Sequence, residues 1–202
     1  DFDNLIETYI IGLPDGYADM DSFNDELLEI CQNHPAAKDY EQSMTMGQRI
    51  YNLHKGEDLK AYGPLVDFAY ASFKRYCDAR PANPNHPFLS QKPDNCFIDM
   101  WGSIIGQDGA LQSHIHPQGW LSGVYYAHVP EAAETAKDQC EGWIEFGRPP
   151  KYPSEQGNVP FHRVQPVVGL MVFFPSYYFH QTIPFGSDET RFSIAFDFIA
   201  ED

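Results

Sequence analysis

From Cys96 to Ile199 the chain passes through eight short segments rich in β-branched and aromatic residues, punctuated by glycine and proline. They run Cys96 to Ile105, Leu111 to His116, Leu121 to Val129, Trp143 to Phe146, Arg163 to Pro166, Leu170 to Phe174, Gln181 to Phe185 and Arg191 to Ile199. Eight strands at this spacing predict a sandwich or barrel of the jelly-roll kind. The last segment alternates cleanly. Phe192, Ile194, Phe196 and Phe198 take one face, and Arg191, Ser193, Ala195 and Asp197 take the other.

The first half reads differently. Asp21 or Ser22 can cap a helix to about Asn33, with Phe23, Leu27, Ile30 and Cys31 on one face and His34-Pro35 ending it. A longer helix is signalled between Asp58 and Arg80. Its apolar positions Tyr62, Leu65, Val66, Ala69, Phe73, Tyr76 and Cys77 recur at steps of three and four. Gly63-Pro64 falls in its first turn, where proline is tolerated. Residues 36–57 lack a pattern and read as loop, and residues 1–12 as an edge strand or extended arm. Pro81, Pro84, Pro87 and Pro93 mark a linker-like connection. The expected architecture is one α+β domain: residues 1–93 form a helical and loop part packed outside, and residues 94–202 form a β-roll.

A chain of 202 residues suffices for one core without cross-links. Its net charge of −16, from 13 basic and 29 acidic residues, argues against nucleic acid or an anionic membrane as partner, since both require a basic footprint. No apolar run is long enough to span a bilayer, and no basic-then-apolar leader opens the sequence. Cys31, Cys77, Cys96 and Cys140 are scattered without a Cys-x-x-Cys pair, which reads as reduced thiols in a cytoplasmic protein.

The chemistry centres on Gln112-Ser113-His114-Ile115-His116-Pro117. On an extended strand, residues two apart share a face, so His114 and His116 would present two imidazoles side by side. Imidazole is the commonest side-chain ligand of catalytic metals. His180, after the apolar strand and the Phe-Pro-Ser turn, offers the third. On the last strand Arg191 and Ser193 make a carboxylate clamp, the guanidinium binding bidentately and the hydroxyl adding a donor. Asp99 could supply a carboxylate in place of His116, and Gln112 could orient a ligand from behind. Tyr125 and Tyr126 face opposite ways, so one of them can point into the pocket. His128 reads as a surface or supporting residue, and His34, His54, His86 and His162 as solvated or structural.

The order His-x-His, a strand ending in Phe-Pro-Ser before a histidine, then Arg-x-Ser resembles the iron(II)- and 2-oxoglutarate-dependent oxygenase superfamily. The closer likeness is to a bacterial branch with His-x-His-Pro running into Leu-Ser-Gly-Val-Tyr-Tyr, here residues 114–117 and 121–126. The resemblance implies a double-stranded β-helix with Fe(II) held by His114, His116 and His180. Arg191 and Ser193, joined by Tyr126, would bind 2-oxoglutarate. The implied activity is oxidation, usually hydroxylation, of a small-molecule or peptide substrate by molecular oxygen, with 2-oxoglutarate converted to succinate. The chain departs from the superfamily's usual His-x-Asp or His-x-Glu by placing His116 where the carboxylate stands.

Two other readings compete. A cupin with a three-histidine metal site would share the β-roll, and Gly169, Pro175 and His180 match part of its second motif. It would not use 2-oxoglutarate, and its expected glutamate is absent from Leu121 to Tyr126. A non-catalytic β-roll binding a metal or small acid is the other. Cofactor-dependent turnover separates all three.

Overall fold

Strand Arg191–Ala200 is hydrogen-bonded along both edges, and the rest of the molecule is layered on its two faces. The computed structural model describes residues 1–33, 38–39, 48–50, 61–106, 109–135, 138–150 and 159–201. Its helices are α1 (Phe2–Leu5), α2 (Met20–Asn33), α3 (Tyr62–Ala79) and α4 (Glu131–Thr135). Its strands are β1 (Glu7–Ile10), β2 (Lys38–Asp39), β3 (Gln48–Ile50), β4 (Cys96–Ile105), β5 (Leu121–His128), β6 (Ile144–Phe146), β7 (His162–Val164), β8 (Leu170–Pro175), β9 (His180–Thr182) and β10 (Arg191–Ala200). A major antiparallel sheet has the order β1-β8-β5-β10-β4-β3-β2, and a minor one the order β7-β6-β9.

Period-two alternation sorts the major sheet into two faces. Phe192, Ile194, Phe196 and Phe198 of β10 lie beside Met100 and Ile98 of β4, Tyr125 of β5, and Met171 and Phe173 of β8. This face packs under α2 and α3 through Phe23, Leu27, Leu65, Ala69 and Tyr76, all fully buried. Each such aromatic or aliphatic side chain contributes about 1.5–3 kcal/mol by leaving water. Phe73 stacks on Phe198 at 4.1 Å between ring centroids. The helices therefore cover the outer face of the roll, as expected.

The opposite face looks into the roll. Val124 and Tyr126 of β5 and Leu170, Val172 and Phe174 of β8 meet Ile144 and Phe146 of β6 in a second core. Arg191, Ser193, Ala195 and Asp197 of β10 lie on that same inner face. Alternation had placed them together.

Three sequence expectations change. Residues 36–57, read as loop, contain β2 and β3, and β3 pairs with β4, so the N-terminal part extends both edges of the major sheet. Two-residue and three-residue strands carry too little periodicity to be seen in sequence. Leu111 to His116 is not a strand. Its backbone touches β9 only at isolated points, the His114–His180 bridge and the Thr182 amide donating to the Leu111 carbonyl at 3.0 Å, and Pro117 and Gly119 turn it away. The start of α2 is held by Asp19 rather than Asp21 or Ser22: the Ser22 amide donates to Asp19 Oδ1 at 2.8 Å, and the Asp19 amide to Ser22 Oγ at 3.3 Å, a reciprocal cap. That pairing holds the Asp19 carboxyl below its ordinary range. His34, His54, the rest of 36–57, and parts of the 131–141 and 149–161 connections fall outside the described residues.

Candidate functional site

The minor sheet fixes one histidine. β6 pairs with β9 so that Glu145 lies opposite Gln181 and Phe146 opposite His180. On its far face the buried Glu145 carboxylate accepts from Arg163 Nε at 2.7 Å and from Gln181 Nε2 at 2.8 Å, lacing all three strands together. His180, on the near face, points into the roll.

The irregular segment before β5 brings the other two. His114 exchanges backbone hydrogen bonds with His180, both at 3.0 Å, and the His116 amide donates to the Ser176 carbonyl at 2.9 Å. These bonds, rather than a strand, set the two rings on one side. The ring centroids of His114 and His116 are 5.3 Å apart, those of His114 and His180 are 4.3 Å apart, and those of His116 and His180 are 4.9 Å apart.

Each ring has an acceptor at Nδ1. His114 Nδ1 is 2.7 Å from the Gln112 carbonyl, His180 Nδ1 is 2.9 Å from the Tyr178 carbonyl, and His116 Nδ1 is 2.6 Å from Asp197 Oδ1. Carbonyl and carboxylate oxygens only accept, so Nδ1 carries the proton and Nε2 of each neutral ring keeps its lone pair. One ligand atom from each histidine lies within 4.8 Å of the others. His114 Nε2 and His116 Nε2 approach to 3.3 Å, and two acceptors at that distance repel unless a cation lies between them. Two nitrogens at right angles around one ion, each about 2.1 Å from it, stand about 3 Å apart. The donor set fits a divalent transition metal.

The walls around the rings are apolar. Trp101, Leu111, Val124, Ile144 and Phe174 line the cavity. The Phe174 ring centroid lies 4.7 Å from that of His180, and Trp101 lies 5.3 Å from His116. Such walls exclude water and strengthen the electrostatics inside.

Arg191 and Ser193 line the same cavity. Arg191 is 1% exposed. Its Nη1 donates to Thr182 Oγ1 at 3.0 Å and to the Gly142 carbonyl at 3.3 Å, while Nε has no hydrogen-bond partner among the described residues. Among the described residues no carboxylate pairs with it. Burial pulls its pKa below the ordinary guanidinium value, opposed by Tyr126. A buried cation without a counter-charge costs several kcal/mol. Tyr126 is fully buried beneath it, with the guanidinium carbon 5.0 Å from its ring centroid. Its hydroxyl has no hydrogen-bond partner among the described residues, and burial raises its pKa. It lies behind Arg191 rather than on the cavity wall. β5 carries one extra residue opposite Phe192 and Ser193, a bulge of the kind that re-aims side chains beside a site.

Other candidates fall elsewhere. Asp99 is half-buried and outside the histidine cluster, its Oδ1 accepting from the Met100 amide at 3.1 Å. Gln112 supports His114 as expected, but through its backbone carbonyl, its residue being exposed. His128 Nε2 lies 3.1 Å from Asp25 on the outside. His86 Nδ1 accepts from the Phe88 and Leu89 amides, a structural role. His162 lies beside Asp3. Sequence reasoning placed Asp197 on the inner face but missed its bond to His116, 81 residues away in the chain.

Residues 99–197 match the family described as "Putative 2OG-Fe(II) oxygenase". No curated protein sequence matches the chain. Among solved structures, a prolyl-4-hydroxylase from Pseudomonas putida is similar at 16% identity with a TM-score of 0.60, over 100% of this chain and 96% of that one. The viral collagen prolyl hydroxylase of Paramecium Bursaria Chlorella virus-1, in a 2OG complex, is similar at 11% with a TM-score of 0.62, over 98% and 97%. HygX from Streptomyces hygroscopicus, with nickel, 2-oxoglutarate and hygromycin B bound, is similar at 13% with a TM-score of 0.61, over 98% and 84%. At these identities the likeness speaks to the fold, a double-stranded β-helix. Over residues 99–197, the roll that carries the three histidines and Arg191, the chain matches the 2OG-Fe(II) oxygenase family.

Proposed function

We propose that the chain is an iron(II)- and 2-oxoglutarate-dependent dioxygenase in which His114, His116 and His180 hold the metal. Arg191 and Ser193 bind the remote carboxylate of 2-oxoglutarate in this reading, with Tyr126 packed behind the guanidinium. The observation that carries it is the pairing of three converging Nε2 atoms with a buried, carboxylate-free guanidinium on the wall of the same cavity. Solved relatives in the same fold with nickel or 2-oxoglutarate bound add support.

Bound there, iron(II) with 2-oxoglutarate and oxygen supplies oxidation of a substrate C–H bond, usually hydroxylation, coupled to decarboxylation of 2-oxoglutarate to succinate. The protein's own part follows from its residues. Three imidazoles leave the remaining coordination positions open. Arg191 gives a carboxylate both charge and a planar donor fork, and Ser193 adds a hydroxyl donor. Trp101, Ile144 and Phe174 keep bulk water from the cavity. Four cysteines present as thiols support a reducing, cytoplasmic setting.

The test is anaerobic titration with Fe(II) and 2-oxoglutarate, followed by oxygen uptake and succinate release. Succinate formed in step with oxygen consumption is the expected result. Oxygen uptake indifferent to 2-oxoglutarate would favour a cupin-type dioxygenase, and tight binding without any turnover would favour a binding protein.

A further inference from the structure

The three histidines are not equivalent. His114 and His180 rest on neutral backbone carbonyls, whereas His116 rests on a carboxylate, Asp197 Oδ1 at 2.6 Å. Both partners are buried, at 8% and 7% exposure. The Asp197 site is closely built. Ser122, its cross-strand neighbour, donates to the same Oδ1 at 2.6 Å, and Ser176 lies 2.8 Å from Ser122 Oγ. With the Ser122 proton on the carboxylate, Ser176 is left to donate to Ser122. The turn at Gly119 closes over the group: a Cβ there would come within 2.5 Å of Ser176 Oγ and 3.1 Å of Asp197 Cγ.

Non-haem iron oxygenases commonly balance the metal with two histidines and one carboxylate. Three neutral imidazoles lack that negative charge. Here an anion stands one imidazole further out, on a single ligand, along the line that a hydrogen bond can transmit. Resting on the metal site proposed above, we infer that Asp197 is a positioning residue that supplies through His116 the negative charge absent from the ligand set. It also fixes the His116 ring with Nε2 toward the metal. A carboxylate behind a ligating histidine raises its basicity and orients it, and its loss typically costs about 10–100-fold in metal affinity.

Asp197→Asn keeps the shape and the acceptor oxygen but removes the charge. The full chain is stripped of metal, and Fe(II) affinity is measured anaerobically for the wild type, D197N and H180A. The Fe(III)/Fe(II) potential of the loaded forms is measured alongside. D197N is expected to bind Fe(II) about 10–100-fold more weakly and to shift the potential upward. The same substitution is then made in an H116D background, where a carboxylate is supplied directly and Asp197 becomes a nearby like charge. There D197N is expected to strengthen metal binding relative to H116D alone. An equal loss in both backgrounds, or a D197N affinity and potential matching the wild type while H180A loses the metal, overturns the inference and leaves the histidine site standing. Metal retained by H180A overturns the site itself.

Discussion

The guanidinium of Arg191 sits over the Tyr126 ring, 5.0 Å from its centroid, and no carboxylate of a described residue neutralises it. Burying a guanidinium without a counter-charge costs several kcal/mol. Arg191→Lys keeps the charge and loses the fork. Affinity for 2-oxoglutarate is expected to fall by roughly 10–100-fold, the range of one or two charge-assisted hydrogen bonds, with Fe(II) binding unchanged. Calorimetric titration of the metal-loaded protein checks it, and an unaltered 2-oxoglutarate affinity would remove Arg191 from the clamp.

The Tyr126 hydroxyl is buried without a hydrogen-bond partner among the described residues. Tyr126→Phe separates two roles. If the hydroxyl reaches 2-oxoglutarate, the variant binds it about 2- to 13-fold more weakly, the equivalent of one hydrogen bond of about 0.5–1.5 kcal/mol. Unchanged affinity together with a higher melting temperature would show a group that is merely buried.

His180 is expected to be indispensable for the metal. His180→Ala removes one of three converging nitrogens while leaving the Arg163–Glu145–Gln181 lacing of the minor sheet in place. Metal analysis should find stoichiometric iron in the wild type and almost none in the variant, with circular dichroism unchanged. Iron content equal to the wild type would dismiss the site.

Gly123 lies where β5 crosses the Phe196 ring, and a Cβ there would fall 2.4 Å from Phe196 Cζ and 3.1 Å from the Val172 carbonyl oxygen. Gly123→Ala therefore overpacks the core face. Urea denaturation should show a loss of about 1–3 kcal/mol. A variant as stable as the parent would mean that Phe196 has room to move.

Burial pushes the Cys31 thiol up to about 12, its hydrogen bond with Tyr62 opposing the shift only weakly. The fold thus favours the neutral thiol. The stability this contributes is present below the ordinary thiol pKa and is lost as pH rises toward 12. At pH 8 a thiol reagent should leave Cys31 unmodified in the native protein and label it once denatured. Mass-mapped labelling of Cys31 at the rate of an exposed cysteine would contradict this.

Much of the fold was legible because hydrophobic periodicity dominates it. β4 occupies the residues expected, α3 shows its three-and-four spacing, and the alternation of β10 sorts Phe192 to Phe198 from Arg191 to Asp197. What escaped is held by long-range bonds that leave no periodic trace. β2 and β3 are too short to show a pattern, and β3 exists as a strand through its pairing with β4. The His114–His116 segment was expected as a strand, yet its rings are aligned by bonds to His180 and Ser176. The site residues themselves were named from residue type and spacing. Their supports were not: the Gln112 carbonyl under His114 is invisible to side-chain reasoning, and the Asp197 carboxylate meets His116 only because β10 returns beside β5.

β10 is paired on both edges and occupied on both faces, aromatic core on one side and Arg191, Ser193 and Asp197 on the other. A single inserted or deleted residue between Phe192 and Phe196 would exchange those faces, driving a guanidinium or carboxylate among phenylalanines and phenylalanines into the cavity. The strand therefore acts as a fixed ruler that sets the spacing between Arg191 and Ser193 on the cavity wall and the Asp197 carboxylate behind His116.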